Sequence, residues 1–521
     1  MDKYLEKNSY LTILEATIWA SDFLKKNVTA SNINYLIKYG KIKKYNFLNK
    51  KQSFIIKDEL ENYYFSISKN KELWKEKLGE DLNWDLSFDN LKEKDTTKHV
   101  HRLHPYKGKF IPQLVEYFLD SHIDNFKKEI YFKKGDVVLD PFCGSGTTLI
   151  QANESGINAI GVDISEFNAL ISNVKLSDID LKLLKEQLES LTHKLIDFVE
   201  NSTSYRFENK LSEILTSYNT KYFSMINFNY TYKNREIDKK KYIRYKLKEF
   251  LKIYYDLLHE YDIKLIIKEP HNFIEKWYLL PVLNEIYFLN TEIQKIKNND
   301  ALKIILSRTI RSCRATTHYD LGTLKNPIIE PYYCSKHFRI CKLLFSILKW
   351  WNIYSKDTIK RLSEFRKIKT NTKQICLIGD SRNIDLNVVL KGKKLDGIFS
   401  SPPYVGLIDY HEQHAYSYDL FNFKRKDNDE IGSLFRGKGI EAQKSYVKGI
   451  SNVLKNCKKF LKINANIFLV ANDNYNLYYE IAKLSGMEIM EEFKRPVLNR
   501  LEGKEAYCEK IFRMKIKEQY E

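Results

Sequence analysis

A glycine-rich turn, "DPFCGSGTT" at residues 140–148, combines an acid, an aromatic ring and two closely spaced glycines. Gly144 and Gly146 let a backbone approach a ligand closely, because glycine has no Cβ atom. A pyrophosphate fits poorly, since Asp140 would repel it and the third glycine of a dinucleotide-binding turn is missing. A ligand that joins an ammonium group to a nucleoside suits the turn better, and S-adenosylmethionine is such a ligand. Asp163 is then predicted to accept hydrogen bonds from both ribose hydroxyls.

A second stretch, "LDGIFSSPPYVGLIDY" at residues 395–410, brings different chemistry to the end of a predicted strand. Its apolar run stops at two serines, two prolines and a tyrosine. Proline has no N–H to donate to a ladder, so the strand must end there. Ser401, Pro402, Pro403 and Tyr404 are therefore presented together at one point. A plain proline turn would explain this stretch alone, but the glycine-rich turn upstream favours a catalytic site.

The elements around the glycine-rich turn predict how it is positioned. A short apolar strand ends at Asp140, a helix starts near Thr147, and a second strand, "AIGVD", ends at Asp163. Strand, glycine-rich turn, helix, strand and terminal acid form the nucleotide-binding half of a doubly wound sheet. Further strands are predicted at "CLIGD", ending at Asp380, and at "ANIFLVAND", before a closing antiparallel pair. The predicted fold class is α/β with a Rossmann-like sheet.

"DPFCGSGTT" followed much later by "SSPPY" resembles the amino-methyltransferases of DNA, and the SPPY form resembles their N4-cytosine branch. The resemblance covers most of residues 98–180 and 375–516. It implies a class I methyltransferase sheet with S-adenosylmethionine as the cofactor, and a "HPYKGKFIP" segment that holds the methionine carboxylate. The cofactor-binding residues that it implies are Tyr106, Lys109, Asp140, Phe142, Gly144, Ser145, Gly146, Thr147, Asp163, Ile164, Asp380 and Ser381.

Within this resemblance, the SSPPY stretch has a chemical purpose. The lone pair of an exocyclic amine is delocalised into the base, and two acceptors at the amino hydrogens free it. The Ser401 hydroxyl and the Pro402 carbonyl are expected to be those acceptors, because proline fixes φ and aims the carbonyl beforehand. Tyr404 is expected to stack on a flipped-out base. No metal, covalent intermediate or strong base is required.

The resemblance to the N4-cytosine branch, in which the residue before the two prolines is usually serine, here Ser401, implies that the N4 amine of cytosine accepts the methyl group. The enzymatic alternatives are the N6 amine of adenine and the N2 amine of guanine in RNA. The alternative from another class is a DNA-binding protein that keeps a methyltransferase fold without turnover. The acids at 140, 163 and 380, together with Ser401, favour an enzyme.

Residues 1–65 predict a separate small unit that comes before the methyltransferase. Thr12 with Glu15 forms a capping box ahead of one helix, a second helix follows, and two β-like runs and a third helix complete the unit. This order resembles the winged helix-turn-helix of excisionase or MerR-like DNA-binding domains. The resemblance implies that the second helix presents Asn32, Asn34 and Lys38 to the major groove. Packing or dimerisation is the alternative use of such a unit.

The chain between the second and third strands is longer than a plain sheet needs, and it is predicted to be a mainly helical insertion that recognises the target. Inside it, Cys313, Cys334, His337 and Cys341 have the residue types of a structural zinc site, but their spacing matches no established motif and buried free cysteines are common, so no metal is predicted. Arg495 and Arg500, in the C-terminal part, are expected to face DNA. The resulting division of the chain is 1–65 winged helix, 66–97 linker, 98–180 cofactor half, 181–370 insertion and 371–521 catalytic half.

The composition of the chain limits which binding partners and which cellular compartment are expected. The chain has 521 residues and a net charge of +19, which suits a polyanion such as double-stranded DNA. Its seven scattered cysteines indicate a reducing cytoplasm, and no sequence window is long and apolar enough for a membrane span. We therefore predict a site-specific DNA methyltransferase of a restriction-modification system, with a possible endonuclease partner.

Overall fold

The computed structural model of the protein describes residues 10–25, 28–38, 41–46, 53–88, 91, 93–223, 239–318, 324, 326–497 and 507–517. Its strands form a seven-stranded sheet, a three-stranded sheet near the N-terminus and a two-stranded hairpin. In chain order the strands are β1 (Tyr10–Thr12), β2 (Tyr45–Asn46), β3 (Ser53–Ile56), β4 (Val137–Asp140), β5 (Asn158–Asp163), β6 (Tyr332–Cys334), β7 (Arg339–Cys341), β8 (Gln374–Ile378), β9 (Leu395–Ser400), β10 (Leu461–Ala471), β11 (Met487–Pro496) and β12 (Cys508–Ile516).

Helices make up most of the chain between β5 and β8 and flank the large sheet. In chain order they are α1 (Ile13–Phe23), α2 (Ala30–Lys38), α3 (Lys57–Leu78), α4 (Glu93–Thr96), α5 (Pro112–Leu119), α6 (Thr147–Glu154), α7 (Glu166–Leu176), α8 (Leu181–Glu200), α9 (Thr203–Tyr222), α10 (Lys239–Glu260), α11 (Phe273–Trp277), α12 (Leu280–Gln294), α13 (Asp300–Arg311), α14 (Leu348–Arg366), α15 (Asn387–Leu390), α16 (Tyr410–Gln413), α17 (Ala415–Phe421), α18 (Ile440–Lys458) and α19 (Tyr478–Ser485). None of the helices among the described residues is long and apolar enough to cross a membrane.

The large sheet has the strand order β11-β12-β10-β9-β4-β5-β8. Strands β10, β9, β4, β5 and β8 run parallel, and β12 lies antiparallel between β10 and β11. The predicted closing antiparallel pair is therefore confirmed. The chain extends from β4 through β5 to β8, then returns to the other side of β4 with β9. This reversal creates a switch point at the carboxyl ends of β4 and β9, where open α/β sheets bind their ligands.

The central parallel strands β4, β5 and β9 are largely buried, and alternate residues enter two different cores. Val138 and Phe399 pack into the larger core, together with the helices of the central segment. Leu139 and Ile398 pack into the second core, which α18 covers with residues such as Ile450. This alternation follows from the two-residue period of a strand. Because both faces are apolar, polar side chains gather at the strand ends.

The N-terminal unit has its own small core and the three-stranded sheet order β1-β3-β2. The predicted capping box is confirmed: Glu15 N–H donates to the Thr12 hydroxyl, and Thr12 N–H donates to the Glu15 carboxylate. The prediction that residues 66–97 form a linker is wrong at its start, because α3 continues to Leu78 without an internal glycine or proline and ends at Gly79 (φ 104°). Beyond it, Asn83 N–H donates to the Lys494 carbonyl at 2.8 Å, so this stretch joins the large sheet.

Candidate functional site

An open cleft lies at the switch point, with about 870 Å³ of empty volume including the part open to solvent. The cleft brings together residues from the glycine-rich turn, the ends of β5, β8 and β9, and the segment before α5. The predicted residues that line it are Tyr106, Lys109, Asp140, Phe142, Gly144, Ser145, Thr147, Asp163, Ile164, Asp380, Ser381, Ser401 and Pro403.

The glycine-rich turn packs so closely that side chains would not fit at two positions. A Cβ atom on Gly146 would lie 2.9 Å from the Ser172 Oγ, and one on Gly144 would lie 3.0 Å from the Tyr106 hydroxyl. Both glycines also have positive φ values, of 78° and 52°. Gly146 is outside the cleft lining, so it shapes the turn, whereas Gly144 lines the cleft directly.

Asp163 fixes the turn to the end of β5. Its Oδ2 accepts a hydrogen bond from Gly144 N–H at 2.7 Å, and its Oδ1 accepts from Ser165 N–H at 2.8 Å and from Asn168 Nδ2 at 3.1 Å. Burial raises the pKa of Asp163 to about 6, although these hydrogen bonds work in the opposite direction. The Asp163 carboxylate therefore lines the cleft and also holds the glycine-rich turn in place.

Asp140 connects the glycine-rich turn to the SSPPY stretch. Its Oδ1 accepts hydrogen bonds from the Ser400 hydroxyl at 2.6 Å and from Phe142 N–H at 3.1 Å. Asp140 is 2% exposed, and burial raises its pKa to about 6, while the bond from Ser400 acts to lower it. Ser400, the last residue of β9, thus fixes the position of Asp140, the last residue of β4.

Asp380, after β8, is engaged by a neighbouring arginine. Arg382 Nε donates to Asp380 Oδ1 at 2.9 Å, and Arg382 Nη2 donates to Oδ2 at 2.6 Å. Burial acts to raise the pKa of Asp380, but the hydrogen bonds and charge of Arg382 prevail and lower it. The carboxylate stays charged, and it also accepts from Arg382 N–H at Oδ1 and from Arg382 Nε at Oδ2, each at 2.9 Å. The hydroxyl of Ser381 donates to the Pro141 carbonyl at 2.6 Å.

The SSPPY stretch divides between the cleft and the layer behind it. Ser401 and Pro403 line the cleft, Pro402 is buried beside them, and Tyr404 lies outside the lining. The Tyr404 hydroxyl donates to Glu509 Oε1 at 3.1 Å. Burial and the charge of Glu509 raise the pKa of Tyr404, so the hydroxyl is a donor rather than an anion.

Arg495 supports this stretch from behind, which corrects the prediction that it faces DNA. It is 8% exposed, its Nη1 donates to Glu509 Oε2 at 2.5 Å, and its Nε donates to the Leu86 carbonyl at 2.7 Å. A buried arginine held by two acceptors is directed into the protein, where it fixes the carboxylate that holds Tyr404. Arg500 lies outside the described residues.

The segment before α5 covers the opposite side of the cleft. The Tyr106 ring lies parallel to that of Tyr410, with a centroid distance of 6.4 Å, and Asn168 Nδ2 donates to the Tyr106 hydroxyl at 3.4 Å. Lys109 Nζ donates to the His101 carbonyl at 2.7 Å. Burial, with a smaller contribution from the charge of Arg102, lowers the pKa of Lys109 to about 8.

Several cleft residues were not predicted from the sequence, including Asn168, Tyr410, His411 and Glu430. Asn168 has a detectable signal, since it lies in the first turn of the helix that follows Asp163. Glu430 has none: it comes from a loop and accepts hydrogen bonds from His411 N–H at 2.7 Å and from the His411 ring. Its position depends on the folded loop rather than on any local pattern.

Two of the predicted DNA-binding residues on α2 have exposed side chains, Asn32 and Asn34. Asn32 is partly occupied, because its Oδ1 accepts hydrogen bonds from the Thr29 hydroxyl at 2.6 Å and from Thr29 N–H at 2.9 Å. Asn32 therefore closes the start of α2, and Asn34 is the more available of the two. Lys38 ends the helix, and its side chain is outside the described atoms.

Only three of the four residues considered as zinc ligands in the sequence lie together in the structure. Cys334, His337 and Cys341 lie together on the β6–β7 hairpin, and the fourth ligand atom beside them belongs to His318. Cys313 instead packs into the large hydrophobic core after α13. The spacing of the cysteines in the sequence does not show that Cys313 is part of this core.

Comparisons with known proteins agree with this geometry. Residues 4–173 match the N6/N4 family model described as DNA methylase. The type II methyltransferase M.MjaII of Methanocaldococcus jannaschii is 44% identical over 528 residues, which cover 97% of each chain. The type II methyltransferase M.MvaI of Kocuria varians is 33% identical over 115 residues, 22% of this chain and 23% of that one. A tRNA (guanine(10)-N2)-dimethyltransferase of Methanocaldococcus jannaschii is 36% identical over 85 residues, 14% of this chain and 24% of that one.

Proposed function

The chain belongs to the DNA methyltransferase family, because its similarity to a type II methyltransferase extends over nearly its whole length, and we propose that it methylates the N4 amine of cytosine in a specific duplex site. The observation that carries this proposal is the position of Ser401 in the same cleft as Asp140 and Asp163. A hydroxyl acceptor and two cofactor-type acids thus face one space. We further propose that it works with a cognate restriction endonuclease.

The residues of the cleft fit S-adenosylmethionine. Three acids supply acceptors for an ammonium group and for ribose hydroxyls, and Gly144 lets the backbone come close. Three lining residues also have a buried polar atom without a partner among the described residues: Ser145 Oγ, Asn168 Oδ1 and His411 Nε2. Such atoms are costly unless a ligand or water satisfies them. When bound, S-adenosylmethionine supplies a methyl group on a positively charged sulfur.

The side chains at the end of β9 would then prepare the amine of the base. The Ser401 hydroxyl and the Pro402 carbonyl accept its two hydrogens and draw the nitrogen towards tetrahedral geometry. Ser400, bonded to Asp140, fixes the start of this stretch, and Tyr404, bonded to Glu509, fixes its end. Two anchored ends keep the acceptors in place before the substrate arrives, so little reorganisation is needed.

The choice of cytosine rests on the serine at position 401. A neutral hydroxyl accepts one amino hydrogen while offering its own hydrogen to a neighbouring acceptor, and cytosine has an acceptor nitrogen beside its amine. The adenine-N6 branch usually has an acid or amide at this position. Adenine has the same amine–nitrogen edge, so product analysis has to decide between the two.

The decisive experiment expresses the full chain in a host that lacks DNA methylation and analyses its genomic nucleosides by mass spectrometry. We expect N4-methylcytosine, absent from a parallel culture that expresses the Ser401→Ala variant. N6-methyladenine in its place would contradict the base assignment while leaving the amine chemistry intact. No new methylated base in DNA, with or without one in a matching RNA digest, would contradict the proposed function.

The N-terminal unit is proposed to be a winged helix that contacts DNA. Helices α1 and α2 pack against a small sheet, and the basic stretch after α2 exposes Lys43 and Lys44. Replacing both lysines with alanine should weaken duplex binding and lower the slope of log affinity against log salt by about 1.8, since each phosphate contact contributes about 0.9. Titrations of labelled duplex at several salt concentrations measure this slope.

The matched control for these lysines is the double replacement of Lys25, in the same unit, and Lys77, near the end of α3, which removes the same charge from other exposed positions. It should change the salt slope little. Equal slopes for the two double variants would contradict a specific phosphate contact at Lys43 and Lys44.

A further inference from the structure

Two histidines and two cysteines form a cluster in the central segment, far in sequence from the cleft residues. The potential ligand atoms of His318, Cys334, His337 and Cys341 all lie within 4.8 Å of one another. Cys334 Sγ is 3.4 Å from His337 Nδ1 and 3.7 Å from His318 Nδ1, and Cys341 Sγ is 3.7 Å from His337 Nδ1. We propose that this cluster binds one structural zinc ion.

Three sulfur–nitrogen separations within the cluster match those of a tetrahedral zinc site. Zinc–sulfur bonds of about 2.3 Å and zinc–nitrogen bonds of about 2.0–2.1 Å place sulfur and nitrogen ligands about 3.6 Å apart at tetrahedral angles. The three sulfur–nitrogen separations, between 3.4 and 3.7 Å, bracket that value. Two thiolates and two imidazoles complete the coordination shell, so no position remains for a substrate, and the site is structural rather than catalytic.

The hairpin is built to present three of the ligands from one short stretch. Strands β6 and β7 pair antiparallel, with Cys334 opposite Arg339. In the turn between them, His337 N–H donates to the Cys334 carbonyl at 3.1 Å, and Phe338 adopts a left-handed conformation with φ 52°. This tight turn brings the side chains at 334 and 337 to the same side, while Cys341 follows on the paired strand.

The fourth ligand comes from a separate segment, so the ion would link that segment to the hairpin. His318 N–H donates to the Tyr332 hydroxyl at 3.0 Å, so the segment after α13 already contacts β6. Its Nδ1 lies 2.8 Å from the same hydroxyl, and metal binding would replace that contact. Strands of three residues each are too short to be stable alone, and an ion shared by both segments stabilises them.

A purely hydrophobic packing of the two cysteines is not supported. Cys334 and Cys341 are buried but lie outside the apolar clusters formed by the described residues, whereas Cys313 belongs to the largest of them. The imidazoles of His318 and His337 lie within 3.4–3.7 Å of their sulfur atoms. Both are free thiols, which are the form that zinc binds after deprotonation.

The ion would secure the hairpin against the helices of the central segment. Asn219, on α9, accepts a hydrogen bond from Ile340 N–H at 3.0 Å and donates to the Ile340 carbonyl at 2.9 Å. Phe223 and Tyr333 make an aromatic contact with a centroid distance of 5.6 Å. Metal binding would therefore stabilise a hairpin that packs against α9, and none of its four ligands lines the cleft.

The test is metal analysis of the full-length protein purified from zinc-supplemented cells without chelator. We expect about one zinc per chain, reduced at least tenfold in Cys334→Ser and His318→Ala. Cys508→Ser, at a partly exposed free cysteine outside the cluster, and Cys313→Ser should both retain zinc. Absence of metal from the unaltered protein, or an undiminished zinc content in Cys334→Ser, would overturn the proposal.

A second measurement remains informative if a cluster variant fails to fold. The unaltered protein is alkylated with and without a zinc chelator, and each cysteine is quantified by peptide mass spectrometry. Cys334 and Cys341 should be protected until the chelator is added, whereas Cys508 should react equally in both samples. A disulfide between Cys334 and Cys341, or protection that the chelator leaves unchanged, would contradict metal binding.

Discussion

Replacing Ser401 with alanine is expected to lower the rate of methyl transfer by about 100- to 1,000-fold, equivalent to about 3–4 kcal/mol, because one preorganised acceptor at the reacting amine is lost. Binding of S-adenosylmethionine should change little, since the acids that face the cofactor remain. Single-turnover transfer of labelled methyl groups to duplex DNA measures the rate, and calorimetry measures the affinity for the cofactor. Near-normal turnover would contradict the proposed function of the Ser401 hydroxyl.

The adjacent serine provides the matched control, because the two hydroxyls have different partners. Ser400 donates to Asp140 and is fully buried, whereas Ser401 lines the cleft. Ser400→Ala removes a hydrogen bond that lowers the pKa of Asp140, so it should weaken cofactor binding about fivefold, or about 1 kcal/mol. The rate at saturating cofactor should fall much less than in Ser401→Ala. If both variants lost the same rate, a general disruption of the β9 end would explain the result better.

The strands that lead into the cleft could be predicted from the sequence because their signals are local. Strands β4, β5 and β9 are mainly apolar and end at Asp140, Asp163 and Ser400, and the glycine-rich turn between β4 and α6 allows few alternatives. Aligning those strand ends at one edge is enough to gather Asp140, Asp163, Asp380 and Ser401. The cleft residues that follow directly from strand ends were therefore predictable.

The supporting contacts were not predictable, since they join segments far apart in the chain. Leu86, Arg495 and Glu509 form one hydrogen-bonded chain that ends at Tyr404, and nothing in their local sequence indicates it. The sequence predicted that Arg495 faces DNA. Its burial could not be foreseen, because it depends on where residues 79–88 contact β11. The proposed zinc ligands were also only partly predictable. Three of them are close in sequence on the hairpin, but whether Cys313 or His318 lies beside them depends on the path of the chain after α13.

Asp163→Asn is expected to weaken S-adenosylmethionine binding by about 100-fold at neutral pH, or about 3 kcal/mol. Three donors, on Gly144, Ser165 and Asn168, converge on the two carboxylate oxygens. An amide has only one oxygen, so one of these N–H groups would face an NH₂ group instead of an acceptor. The charge that favours ribose hydroxyls is also lost. Calorimetric titration measures the affinity, and thermal unfolding checks that the variant is folded.

The pH dependence of binding separates the effect of Asp163 from general damage. The pKa values of Asp140 and Asp163 are both raised to about 6, so both are charged at neutral pH and become protonated as the pH falls through 6. In the unaltered protein, the affinity should fall below about pH 6, by up to tenfold per pH unit for each carboxyl that must be charged. Asp163→Asn should retain only the shallower dependence due to Asp140. Both carboxyls should be largely protonated at about pH 5, because burial raises their pKa values. An affinity that stayed constant down to that pH in the unaltered protein would therefore show that neither acid has to be charged for binding.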